Sequence, residues 1–287
     1  MELTLHSTIE MIDTRLLHDI EVSMDKCYTH MILYQTDLPK CLELKDAHAT
    51  NPYHLFFYMI ARFYFCDDGK QTIRYYYPKT NQELCEKALS LLPSRFHRIT
   101  EKSDKEEYVQ LPGCKWYDDS IDEDWIYAYV RDLYKPIWEP IQQKHNLGIY
   151  ISRRKAPSRR VQREEELIEP LQQRGFFIVE LEAFTFEQQI QIFRAAKVVI
   201  GSHGAGFAWL IFCHPKTYVV EINGNFPKRN HYADISKKCD LQYYRYLPCK
   251  LDKTSEDVVD FEPKQFIDTL DTLFGLKPPH IENGQSV

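Results

Sequence analysis

Val198-Val199-Ile200-Gly201-Ser202-His203-Gly204-Ala205-Gly206, followed by Phe207-Ala208-Trp209-Leu210-Ile211-Phe212, is the stretch whose reading decides the fold. A short apolar run rich in β-branched residues, interrupted by glycines and then resumed, predicts a strand, a tight turn and the start of a helix. Glycines let a backbone come close to a ligand, and the N–H groups that open a helix lie unpaired at its positive dipole end, so the turn suits an anion. Ser202 and His203 add side-chain donors at the same place. The same residues would equally serve a tight turn around a buried histidine, because a lone glycine loop is weak evidence. The flanking segments decide between the two.

Upstream, Gly148-Ile149-Tyr150-Ile151-Ser152 predicts a strand that runs into Arg153-Arg154-Lys155-Ala156-Pro157-Ser158-Arg159-Arg160. Downstream, Thr217-Tyr218-Val219-Val220-Glu221-Ile222 predicts another, with a carboxylate near its C-terminal end. In an open α/β sheet, ligands bind in the crevice outside the carboxyl ends of the strands. Arginines and a helix start suit phosphates there, and an acid suits a ribose hydroxyl.

The segments Ser152-Arg153-Arg154, Arg159-Arg160, Glu165-Glu166-Leu167, Gly175-Phe176, Glu187-Gln188, Ile200 to Gly206 and Val220-Glu221-Ile222, in this order, resemble the signature of glycosyltransferase family 61. Phe207 departs from the leucine that members commonly carry. The resemblance implies an α/β chain of two Rossmann-like domains facing a central cleft, the GT-B type. It also implies an inverting, metal-independent transferase that moves a sugar from a UDP-sugar to a hydroxyl of a glycan or glycoprotein. Xylose is the favoured donor sugar, N-acetylglucosamine the next, and arabinofuranose a further type. Arg153, Arg159 and Arg160, with Ser202, His203, Gly204, Ala205 and Gly206, would meet the diphosphate, and Glu221 would accept from the ribose. The expectation includes no cofactor and no metal.

The 287 residues and 34.2 kDa allow two domains of ordinary size. They are expected at 1–143, on the acceptor side, and 144–276, binding the nucleotide sugar, with a loose tail at 277–287. A net charge of −6 argues against a general nucleic-acid binder, which needs a basic surface. The eight cysteines form no Cys-x-x-Cys pair or zinc spacing and read as reduced thiols. The N-terminal residues lack the pattern of a signal peptide, and no apolar run is long enough to span a bilayer, so a cytoplasmic location without a membrane span is expected.

In the N-terminal half, Met31-Ile32-Leu33-Tyr34 predicts a strand, and Asn51 to Phe65, apolar nearly all round, a buried helix capped by Asn51 with Pro52 in its first turn. A strand at Thr72 to Tyr77, a helix at Asn81 to Leu92 and a strand at Tyr108 to Leu111 follow, an alternation that implies parallel topology. Asn51-Pro52-Tyr53-His54 is similar to the Asn-x-x-His that opens a cleft-lining helix in the family, while Tyr58 stands where some relatives carry an acid. His54, Asp67 and Asp68 are the candidates for the catalytic base. Asp122-Glu123-Asp124 could suggest a metal motif, but Ser120-x-x-Glu123 reads as a capping box before the helix that begins near Trp125.

In the C-terminal half, Val161 to Arg174 predicts a helix that Pro170 should kink or split, ended by Gly175. Strands at Phe176 to Val179 and Tyr243 to Leu247, a helix at Phe186 to Ala196 and a closing helix at Pro263 to Phe274 complete the pattern. Two readings from other classes stay open: a non-catalytic nucleotide-sugar or glycan-binding module, and another Rossmann-type transferase such as a methyltransferase. The absence of Gly-x-Gly-x-x-Gly disfavours the latter.

Overall fold

A computed structural model describes residues 40–44, 51–109, 124–140, 144–223, 230–247, 258–259 and 262–276. The expected strand at Met31 to Tyr34, the acids Asp122 and Glu123, and the tail at 277–287 lie outside the described residues. Two compact units are present, one containing His54–Ile121 and strand β1, the other Thr50–Tyr53 with Asp122–Val287.

The first unit carries β1 (Lys40–Glu43), β2 (Ile73–Tyr76), β3 (Phe96–Ile99) and β4 (Glu107–Val109), all parallel, in the order β3-β2-β1-β4. Strands β1 and β3 were not expected, since Lys-Cys-Leu-Glu and Phe-His-Arg-Ile are short and half polar; pairing on either side of β2 makes them strands. The apolar run after Asn51 is helical as expected, but it is not one regular helix. An α-turn at Pro52–His54 passes into a π-turn at Leu55–Met59 and a 3₁₀ stretch at Ile60–Phe65. Asn51 Oδ1 accepts from Tyr53 N at 2.9 Å, the predicted cap. Beyond it, changes of winding let Leu55, Phe56, Phe57, Met59, Ile60 and Phe63 all turn inward, which a constant 3.6-residue period would not do. Phe63 then packs edge-on to Tyr75 of β2 at 5.0 Å and tilted on Phe96 of β3 at 4.7 Å.

The helix Glu83–Ser90 is tied to this sheet by Arg98, whose Nη1 and Nη2 donate to Glu86 Oε2 and Oε1 at 2.7 and 2.9 Å. That guanidinium is the main reason the Glu86 carboxyl falls from 4.5 to about 2. A depressed carboxyl contributes stability above its unfolded value and loses it as pH falls through the folded one. The first unit should therefore weaken between pH 4.5 and about 2, and Glu86→Gln should flatten that part of an acid-unfolding curve. An unchanged curve in the variant would remove the assignment.

The second unit carries β5 (Leu147–Ile151), β7 (Phe176–Val179), β8 (Ala196–Ser202), β9 (Tyr218–Ile222) and β10 (Gln242–Tyr246) in one parallel sheet, ordered β10-β9-β8-β5-β7. A separate pair joins β6 (Arg160–Val161) to β11 (Val258–Val259), neither of which was expected. Within the large sheet the first strand in the chain, β5, has the second on one side and the third on the other. The winding therefore reverses between β5 and β8, the kind of switch point at which ligands bind in open α/β sheets.

One face of this sheet presents Tyr150, Ile200, Val220 and Ile222 to Leu167 and Leu171 of the helix Glu165–Gln173, and to Phe266, Ile267 and Leu270 of the helix Pro263–Phe274. Pro170 does not split its helix as expected. The helix runs unbroken through it, and its neighbours Leu167 and Leu171 are fully buried, a gain that offsets one missing hydrogen bond. Gly175 and Gly275 follow their helices at φ 81° and 62°, the left-handed closures predicted for them. The 3₁₀ run Ala205–Phe212 is buried from Phe207 onward, with Trp209 edge-on to Phe186 of the helix Phe186–Ala195 at 5.0 Å. The five cysteines among the described residues are buried. The chain is thus an α/β protein with two parallel sheets.

Candidate functional site

The site is set by strand pairing. Ile151 pairs with Gly201, and Ser202 pairs with Ile222, so Ser152-Arg153 and the loop Ser202 to Gly206 emerge side by side at the reversal point, next to the end of β9. The Arg153 backbone N–H donates to Glu164 Oε1 at 3.2 Å. Its guanidinium donates from Nε and Nη2 to the Ser158 carbonyl, at 3.3 and 2.9 Å, and its Nη1 end lies close against Gly204. A Cβ at Gly204 would meet Arg153 Nη1 head-on and come within 2.9 Å of Cζ, so the glycine is there to admit the arginine. Gly206 likewise makes room for Leu181, whose Cδ1 would be 2.8 Å from a Cβ.

No carboxylate pairs with the Arg153 guanidinium among the described residues. Burial, and then the like charge of Arg159, lowers its pKa from the ordinary guanidinium value. Arg159 itself holds φ 56°, a left-handed conformation that costs a non-glycine residue energy and that clusters at functional turns. The rest of the basic run is used otherwise. Arg154 and Lys155 both pair with Glu180, at 2.7 and 2.6 Å, and Arg160 stands exposed in β6.

Opposite Arg153, the 3₁₀ run opens with the N–H groups of Ala205 and Gly206, which have no acceptor among the described residues; the next, that of Phe207, donates to Gly204 O at 3.0 Å. The Ser202 hydroxyl is buried and also has no partner among them. Two amides and a hydroxyl without partners among the described residues, and a guanidinium that no carboxylate there hydrogen-bonds, form a concentrated set of donors, which is what an anionic ligand needs.

His203 is bonded to neighbouring protein groups through both its backbone and its ring. Its backbone N–H donates to Ile222 O at 3.0 Å, and its ring is buried with Nδ1 on Glu221 Oε1. Glu221 is 0% exposed, and its second oxygen accepts from the Tyr243 hydroxyl. Arg245 Nε donates in turn to the Tyr243 oxygen at 3.1 Å, and Arg245 Nη2 to Asn230 Oδ1 at 3.0 Å. Burial first, then the Glu221 charge, raises the Tyr243 phenol above its ordinary range, so it remains a donor. Tyr232, on the helix His231–Lys238, sets its ring 4.9 Å from that of His203 and 5.3 Å from Phe207.

The candidate bases lie in the first unit. His54 ends the α-turn Pro52–His54, its ring edge-on to Tyr58 at 4.6 Å. Asp67 is buried and clamped by Arg95, with Nε and Nη2 at 2.9 and 2.7 Å, and also accepts from Gly69 N. Asp68 is exposed and closes a turn by accepting from Lys70 N and Gln71 N at 2.9 and 2.8 Å.

The family profile described as Glycosyltransferase 61 matches residues 53–220, more than half of the chain. The chain belongs to that family. A stretch of 58 residues is 40% identical to the beta-1,2-xylosyltransferase RCN11 of Oryza sativa subsp. japonica, covering 20% of this chain and 11% of that protein. Another of 109 residues is 32% identical to the EGF domain-specific O-linked N-acetylglucosamine transferase of Drosophila melanogaster, covering 37% of this chain and 20% of that protein. The alignments thus span a fifth or less of either relative. Among the described residues no three His, Cys, Asp or Glu side chains gather as a metal ligand set, and no helix is long and apolar enough to cross a membrane.

Within the family motif, Gln188 forms a capping box with Thr185, a structural duty. Sequence reasoning missed Tyr232, Tyr243 and Arg245. Only the spacing Tyr243-x-Arg245 in the expected strand hinted that both face one side of the sheet.

Proposed function

We propose that this chain transfers a sugar, with inversion and without a metal, from a UDP-sugar to a hydroxyl of a glycan or glycoprotein. The observation that carries this reading is the Arg153 guanidinium, half-buried against Gly204 with no carboxylate partner among the described residues. Such a charge is costly to hold unless an anion completes it. The diphosphate would take up donors from Arg153, Ser202 and the amides of Ala205 and Gly206, with Arg159 close by. Arg160, exposed in β6, would add long-range attraction at most.

In the reaction the acceptor oxygen bonds to the anomeric carbon as the bond to the diphosphate breaks. The electron pair leaves with the diphosphate and the acceptor proton passes to a base. Fixed donors aimed at the leaving group need no reorganisation as its charge develops, so they supply what a metal would otherwise give. In the GT-B arrangement that the family likeness implies, the base comes from the first unit. His54 is the choice, since Asp67 is committed to Arg95 and Asp68 to a turn. The relatives' names favour xylose, then N-acetylglucosamine, as the donor sugar.

A specific observation keeps a second reading open: Tyr58 occupies the place of an acid found in some relatives, which would suit a module that binds nucleotide sugar without turning it over. Calorimetric titration with UDP, UDP-xylose and UDP-N-acetylglucosamine in EDTA, followed by an assay of UDP release, separates the two. Binding with release from one sugar nucleotide is expected. Binding without release from any of them would leave the module, and no binding of UDP would end both.

A further inference from the structure

We propose that Glu164 is a positioning residue of the donor site: its buried carboxylate holds the backbone of Arg153, and through it the guanidinium that takes up the diphosphate. The inference rests on the nucleotide reading above and adds to it a residue that touches no ligand.

Glu164 is 2% exposed and stands immediately before the helix Glu165–Gln173. Its Oε1 accepts from the Arg153 N–H at 3.2 Å, and its Oε2 has no hydrogen-bond partner among the described residues. The buried Tyr150 phenol lies near enough that burial first, and then the Glu164 charge, push it well above its ordinary value, but it does not meet the carboxylate in hydrogen-bonding geometry. A carboxylate kept from water on so few partners is costly. What it gives in return is a charge-assisted hydrogen bond to an amide, firmer than a neutral acceptor would make.

Both ends of that bond are fixed. Leu167 N donates to Glu164 O at 3.0 Å, and Leu167 is fully buried against the sheet, so a packed helix carries the carboxylate. Arg163 turns the chain into this helix at φ 56°, a conformation that a non-glycine residue keeps only where its surroundings impose it. On the other side, Arg153 O accepts from Ala156 N at 2.9 Å, Nε and Nη2 reach the Ser158 carbonyl, and the Nη1 end stops against Gly204. Of these hydrogen bonds only the one to Glu164 reaches outside the segment 153–158. It ties a turn that otherwise bonds to itself onto the core of the second unit. A guanidinium held this way has less freedom to lose when an anion arrives.

A double-mutant cycle tests this. Calorimetry measures the dissociation constant of UDP for the wild type, Glu164→Leu, Arg153→Met and the two together. Glu164→Leu should weaken UDP about tenfold, the worth of one hydrogen bond. The double variant should bind no more weakly than Arg153→Met, because the loss runs through the guanidinium. Two losses that multiply overturn the inference, since they mark general damage to the fold, and so does a Glu164→Leu protein with wild-type affinity. Glu164→Gln, which still offers an oxygen to the amide, should restore binding to within about threefold of the wild type; a loss as large as that of Glu164→Leu overturns the inference too. If Glu164→Leu does not fold, Glu164→Asp, whose carboxylate is drawn back by one methylene, takes its place in the cycle with the same outcomes. An Arg153→Met protein with wild-type affinity, or no UDP binding at all, ends the nucleotide reading and this one with it. A normal Arg153 effect beside multiplying losses ends this inference alone.

Discussion

Arg153→Met is expected to weaken UDP binding by about two orders of magnitude while leaving the melting temperature unchanged or higher. The loss follows from the chemistry of a charge-assisted pair: a guanidinium that meets a diphosphate in a partly dry site contributes about 2–4 kcal/mol. The stability follows from the surroundings of the same group, which sits against Gly204 with only the Ser158 carbonyl accepting from it among the described residues. Methionine keeps much of the apolar contact and removes a charge that burial disfavours. A protein that becomes more stable as it loses function is what a site strained for its ligand predicts. Arg153→Lys should recover only part of the affinity, because an ammonium cannot fork between Ser158 and a phosphate. Calorimetry and thermal melts settle both signs; a change in UDP affinity below about threefold in the methionine variant would remove Arg153 from the site.

The second large effect separates structure from catalysis in the first unit. Asp67→Ala should cost about 3 kcal/mol of stability, since removing one member of a buried pair strands the other. The Asp67 side chain is 3% exposed and that of Arg95 29%, and the pair ties the end of the 3₁₀ stretch to the start of β3. Denaturant unfolding reads this loss. Below the unfolding transition, UDP affinity and turnover should persist. His54→Asn should do the reverse: stability and UDP affinity hold, while turnover falls on the order of 10²- to 10⁴-fold, the share of a general base. Turnover lost in Asp67→Ala and kept in His54→Asn would exchange their roles.

Much of the second unit was legible from residue types alone. Runs such as Val198-Val199-Ile200 and Tyr218-Val219-Val220 are apolar on both faces and short, which only strands buried in a parallel sheet require. Gly175 and Gly275 marked helix ends because a left-handed φ has few other occupants. Short polar strands were not legible. Lys40–Glu43 and Phe96–Ile99 have no internal reason to be extended and take their conformation from β2. Pro170 does not split its helix because local propensity is a small term beside the burial of Leu167 and Leu171.

The sequence by itself determined the chemistry available at the site: two basic residues after one strand, a glycine loop after another, and an acid in a third. These are local patterns, each confined to a strand and the turn that follows it. Which of those groups face a ligand and which face one another was decided by the tertiary structure. Strand order brought Arg153 to Gly204, and side-chain alternation across the β9 and β10 register turned Glu221 toward His203 and Tyr243. A carboxylate near the end of a strand is legible in one dimension. Whether it is spent on the protein or left for a ligand depends on neighbours 18 and 22 residues away in the chain, and only the folded sheet supplies them.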